Sequence, residues 1–157
     1  MAKQSQPLAT IGYEGASMQS FLAALKQARV ELLVDVRAVA SSRRPGFSKT
    51  KLAANLAEEG IDYLHLRGLG TPADGRAASR GGRYAELQRI YSEHLRTQEA
   101  QDQLALLVEI VRGGERKVCL LCFEANPEHC HRSIVAAEVG KAIPIRIEHL
   151  AGEPEEE

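Results

Sequence analysis

Short, nearly continuous apolar runs punctuate the chain, with amphipathic or polar stretches between them. Leu8 to Tyr13, Glu31 to Val36 (ELLVDV), Ile61 to Leu66 and Lys117 to Phe123 (KVCLLCF) are the clearest, and Ile145 to Ile147 is a shorter one. Runs with so little alternation suit strands covered on both faces. Between them the apolar positions recur with helical spacing. Ser17 to Ala28 places Met18, Phe21, Leu22 and Leu25 on one face, with Ser17 as N-cap. Lys49 to Glu59 ends at Gly60, a residue suited to a helix C-terminus. Tyr84 to Leu95, Glu99 to Arg112 and Ser133 to Ala142 read as further helices, and Gly113-Gly114 stops the middle one. Residues 67–83 are rich in Gly and Arg and read as a long loop, a feature that is usually functional in a compact domain.

The resulting order, β-α-β-α-β-αα-β-α-β, predicts an α/β fold. It is a Rossmann-like, three-layer domain around a mostly parallel five-stranded sheet. Right-handed crossovers make 3-2-1-4-5 the simplest strand order. That order makes the first and fourth strands neighbours where the winding reverses, and ligands bind there, outside the carboxyl ends of the strands.

A length of 157 residues fits one domain, taken as residues 1–150, with 151–157 as an acidic, solvated tail ending in EPEEE. The three cysteines are too few and too closely spaced for a disulfide framework. The stretch MAKQSQPLATIGYEG has no apolar signal core, and no run approaches ~18 apolar residues. The expectation is a cytoplasmic protein with no membrane partner and with its cysteines as thiols. A net charge of −1 gives no overall pull toward nucleic acid or membrane.

The candidate chemistry gathers where strands end. The first strand leads into Tyr13 and Glu14. The second leads into Asp35, Arg37 and the loop holding Ser42, Arg43, Arg44 and Phe47. The third carries His65. The fourth leads into Glu124 and then Cys130-His131-Arg132. Cys130 stands just before a helix, where backbone N–H groups and Arg132 make an anion site and favour a thiolate. The alternative is Cys130 as a small buried hydrophobe and Arg132 as a surface residue. A phosphatase loop is excluded, because Ala136, Glu128 and Ala125 stand where its arginine would follow Cys130, Cys122 and Cys119. Cys122, Glu124, His129, Cys130 and His131 are metal-ligand types, but the spacing of Cys122 and Cys130 matches no closed zinc framework. No metal ligands are assigned and no cofactor is required, although the ligand types leave a divalent metal open. Arg43 and Arg44 near Phe47 suit a phosphate and a stacked base, and Arg76, Arg80 and Arg83 add positive charge.

The segments TIGYEG, LLVDVRAVASSRRPGFSK, GIDYLHLRGLGTP, YSEHL and VCLLCFEANPEHCHRSIVA, running from Thr10 to Val139, resemble the domain-of-unknown-function family DUF488. Members often carry a proline after DVR, where this chain has Ala38-Val39-Ala40. The resemblance implies the α/β fold and a site at this rim, and leaves the reaction to be read from the residues.

Two readings follow. In one, the protein is a hydrolase or transferase acting on a nucleotide, nucleic-acid or other phosphorylated substrate. Asp35 or Glu124 is then the general base, and Cys130 or His131 the nucleophile or acid. Tyr13, Arg37, Ser42, Arg43, Arg44, Phe47, His65 and Arg132 bind the ligand. In the other, the same arginines and aromatics make a non-catalytic module that binds a nucleotide or nucleic acid. The expected partner in both is an anionic small molecule or a nucleic acid.

Overall fold

Alternation along each strand decides where the helices sit. In a computed structural model, which describes residues 7–151, β1 (Leu8–Gly12), β2 (Leu32–Asp35), β3 (Asp62–His65), β4 (Val118–Cys122) and β5 (Ile147–Ala151) form one sheet, and every pairing is parallel. Ala9, Ile11, Leu33, Cys119 and Leu121 face one side, where α1 (Met18–Gln27) and α2 (Lys49–Glu58) cover them with Phe21, Leu25, Leu52 and Leu56. Leu8, Leu32, Val34, Val118 and Leu120 face the other side. There α4 (Tyr84–His94), α5 (Gln98–Gly113) and α6 (His131–Ala142) supply Tyr91, Leu107, Val111, Val135 and Val139. Side chains alternate across a strand, so continuous apolar runs are what two covered faces require. The result is the expected three-layer, Rossmann-like α/β architecture. Among the described residues, no helix is long and apolar enough to cross a membrane.

The strand order is 3-2-4-1-5 rather than 3-2-1-4-5. β1 and β4 are neighbours, as expected, but they exchange places. The fully buried VCLLC strand takes the centre of the sheet, and the half-exposed strands DYLH and IEHLA take the edges. Exclusion of water explains why the apolar strands are interior and the half-exposed ones are edges, but β1 is buried as completely as β4, so burial does not choose which of the two takes the central place. β5 also begins later than Ile145, because an edge strand with exposed alternate residues carries only a weak apolar signal. Ala151, placed in the tail by sequence, belongs to β5, and the remainder of the tail lies outside the described residues.

The supposed loop at 67–83 contains a helix, α3 (Ala73–Arg80). Its buried positions are only Gly75 and Ala78, so it shows no apolar stripe in the sequence. A β-carbon on Gly75 would come within 2.5 Å of Thr71 and 3.3 Å of Ile90, and its absence lets α3 lie close against α4.

Candidate active site

Strand register brings the polar residues to one level. Gly12 pairs beside Cys122, and Asp35 beside Leu121, so the residues that follow emerge together at the carboxyl edge. β1 and β2 lead to helices on one face, whereas β4, lying between them, leads to α6 on the other. The chain therefore parts on both sides of β4, and such a reversal opens a crevice. A cavity of about 540 Å³ occupies it, and its lining includes Tyr13, Arg37, Cys122, Glu124, Cys130 and His131.

The first group is a cluster of two thiols and an imidazole. Cys122 ends β4, Cys130 precedes α6 and His131 opens it. All three are buried, and their donor atoms lie within 4.8 Å of one another. His131 Nδ1 is 3.4 Å from Cys122 Sγ and 3.9 Å from Cys130 Sγ. On the ring's far side Nε2 lies 2.6 Å from the Val36 carbonyl, which can only accept, so Nε2 carries the proton and Nδ1 faces the sulfurs. Burial alone would raise the Cys130 pKa. A hydrogen bond from the Cys122 thiol, the His131 imidazolium and Arg132 outweigh it and hold Cys130 well below the ordinary thiol range. Burial and the Cys130 neighbour push Cys122 the other way. Burial lowers the basicity of His131, but the Cys130 charge more than offsets this and raises it.

The second group fixes an arginine. Arg37 donates from Nε to Asp35 Oδ1 at 2.8 Å and from Nη2 to Asp35 Oδ2 at 2.7 Å. The pair is buried, with Asp35 fully enclosed. Tyr63 donates its hydroxyl to Asp35 Oδ2 at 2.5 Å, and Arg37 Nη1 donates to the Tyr13 hydroxyl at 3.2 Å. His65 Nε2 donates to the Arg37 carbonyl at 2.7 Å. Asp35 and His65 thus position Arg37, and Arg37 and Tyr13 are the members of the group that line the cavity.

Glu124 is half-buried and accepts a hydrogen bond from the Ser79 hydroxyl at 3.3 Å. Burial, then the charges of Cys130 and Glu14, push its pKa up to about 7. A carboxyl group with that pKa exists in both protonation states near neutral pH. The remaining wall comes from α3 and α4, through Arg76, Ser79, Arg80 and Tyr84. His129 stacks on Tyr84, with ring centroids 3.9 Å apart and planes within 2°.

Other residues singled out from sequence lie elsewhere. Arg132 is fully buried beneath the rim. It donates from Nε to Thr10 Oγ1 at 3.2 Å, from Nη1 to the Glu124 carbonyl and from Nη2 to the Ala125 carbonyl at 3.2 Å. It clamps the 124–125 segment to β1, and it does so against Gly12, where a β-carbon would sit 1.7 Å from the Glu124 oxygen. Arg37 and Arg132 therefore do not share one pocket. Phe47 is buried in the core, stacked on Tyr13 at 4.5 Å. Ser42 organises its own loop by accepting from the Arg44 amide, and Arg44 donates to the Ala16 carbonyl. Arg43 is exposed and outside the cavity lining. Sequence reasoning did not single out Ser79 or Tyr84 for the site, and it named His129 only as a metal-ligand type and not for its stack on Tyr84. The arginines of the 67–83 segment were the one pointer to that wall.

No curated protein matches the chain. The family model described as "Domain of unknown function DUF488" matches residues 17–139, most of its length. The matched span includes Arg37, Glu124, Cys130 and His131, and the chain belongs to the DUF488 family.

Proposed function

We propose that this protein is a hydrolase or transferase acting on a phosphorylated or otherwise anionic substrate, such as a nucleotide or a nucleic-acid end, bound in the cavity around β4. The observation that carries the reading is the lining of that cavity. One space collects the Cys122–Cys130–His131 cluster, the carboxyl of Glu124 and the guanidinium groups of Arg37, Arg76 and Arg80. Arg37, held by Asp35, binds anionic oxygens through charge-assisted hydrogen bonds, and Arg76 and Arg80 approach from the α3 side. Phe123, exposed at the cavity, and the Tyr84–His129 stack offer flat surfaces to a ring system. Glu124 exchanges a proton with the reacting group, and the nucleophile comes from the thiol–imidazole cluster. Asp35 and Arg132, with their polar atoms engaged, act as positioning residues.

The test is a thermal-shift screen of nucleotides and phosphorylated metabolites, followed by turnover assays on the hits. A true ligand at a hundredfold excess over its Kd stabilises the fold by about 2.7 kcal/mol. Glu124→Gln should then abolish turnover and keep the shift. Turnover retained in Glu124→Gln would remove Glu124 from the chemistry, ligand-induced shifts without turnover in the wild-type protein would favour the binding-module reading, and the absence of any ligand-induced shift would remove the proposal.

A further inference from the structure

We infer that Cys122, Cys130 and His131 form a binding site for one zinc-like divalent ion, with an open fourth position facing the cavity. Zinc bonds of ~2.3 Å to sulfur and ~2.0–2.1 Å to nitrogen, at tetrahedral angles, set sulfur-to-nitrogen separations near ~3.6 Å. The two separations here, 3.4 Å and 3.9 Å, straddle that value. The third pair, the two sulfurs, lies within the same 4.8 Å limit. The imidazole already turns the required nitrogen, Nδ1, toward the sulfurs. Metal-binding histidines hold the right tautomer by donating their other N–H to a carbonyl or carboxylate, and His131 does this to Val36 at 2.6 Å. Two thiolates with one imidazole select zinc or another borderline-to-soft ion over magnesium or calcium.

Coordination also gives the neighbouring pair of buried thiols a role that packing does not. Each thiol loses its proton to solvent as its sulfur bonds the ion, and no oxidant or reductant is involved. Three protein ligands leave a tetrahedron incomplete, which is the pattern of catalytic rather than closed structural zinc sites. All three residues line the cavity, so a water molecule or a substrate oxygen completes the shell from there. Sequence spacing concealed the site, because seven residues separate the cysteines and the histidine adjoins the second one. The inference stands on ligand geometry and not on the reaction proposed above; with the ion bound, the two sulfurs and the imidazole are ligands, and the nucleophile of that reaction would be the water in the open position rather than a thiol.

The experiment uses the full chain, reduced, stripped with a chelator and titrated with cobalt(II) and then zinc, with no substrate present. The expected result is uptake of one ion per chain. The cobalt form should show strong visible bands of a four-coordinate site and near-ultraviolet sulfur-to-cobalt charge transfer, and zinc should abolish both. Cys122→Ser and Cys130→Ser should each remove about half of the charge transfer and weaken zinc in chelator competition by roughly a hundredfold or more. Cys119→Ala should change neither. X-ray absorption of the wild-type zinc form should give a mixed shell of two sulfurs with nitrogen, and this decides the matter even if the serine variants do not fold. Absence of stoichiometric uptake by reduced protein, a cobalt spectrum without charge transfer, or undiminished binding in both serine variants would overturn the assignment. A failed substrate screen would leave it untouched.

Discussion

His131 is held from behind by Val36: its Nε2–H donates to that residue's carbonyl oxygen at 2.6 Å, tying the first turn of α6 to the end of β2. The bond is buried, so removing the ring orphans an enclosed carbonyl. His131→Ala should lower stability by about 1–3 kcal/mol in urea unfolding of the metal-free protein. A variant as stable as wild type would mean that the carbonyl finds water and that the ring is not locked.

Arg37 and Asp35 should be strongly interdependent. Arg37→Met leaves a buried carboxylate with only Tyr63 and the Arg37 backbone amide as donors, and should cost about 3–5 kcal/mol. Asp35→Asn in the Arg37→Met background should recover part of that loss. Additive losses in the four-protein cycle would show that the two side chains do not act as a pair.

The cysteines should separate by reactivity in metal-free protein. Cys130 faces the cavity with its pKa held down. Cys122 faces it with its pKa raised by burial, and Cys119 is enclosed in the core, where burial also raises its pKa. Brief alkylation at neutral pH, read by mass spectrometry, should modify Cys130 first and Cys119 last. Zinc should slow the modification of Cys130. Early labelling of Cys119 would contradict the burial described here.

Alkaline pH should weaken the fold through Tyr63. Burial, then the hydrogen bond to Asp35 and its charge, raise the pKa of this phenol above the ~10 of an exposed tyrosine. A raised folded-state value means that the stabilisation is complete below the unfolded pKa and is lost as pH climbs past it. Unfolding midpoints should therefore fall above about pH 10. Tyr63→Phe should flatten part of that decline, while Tyr91, also raised by burial, keeps the rest. An unchanged slope in Tyr63→Phe would exclude the Tyr63–Asp35 bond as its source.

Much of the fold was legible because each strand is short and strongly apolar, and because a cap such as Ser17 marks a helix start. The exchange of β1 and β4 was not. A helical crossover spans one strand or two with similar ease, and LATIG and VCLLC are buried at every position, so burial does not distinguish the two orders. The rim was legible from Tyr13, Arg37, Glu124, Cys130 and His131, because strand ends declare themselves by a change from apolar to polar. The roles of Phe47 and Arg132 were not. An aromatic or an arginine beside a polar loop reads the same whether it turns outward or is buried, and the partners that bury them, Tyr13 and Thr10, are distant in the chain. α3 was hidden because glycine and alanine carry its packing.

The α3–α4 wall has a small hydrophobic cluster of its own, Ala78, Leu87 and Ile90, separate from the two large cores that hold the sheet. A segment that buries little apolar surface opens at a lower free energy than the sheet. Hydrogen exchange should accordingly find the amides of α3 opening as a local unit, well before those of β4. The face bearing Arg76, Ser79 and Arg80 would then be the cheapest part of the molecule to displace, so exchange of ligand with solvent can proceed without disturbing the strands that hold Cys122 and Arg37.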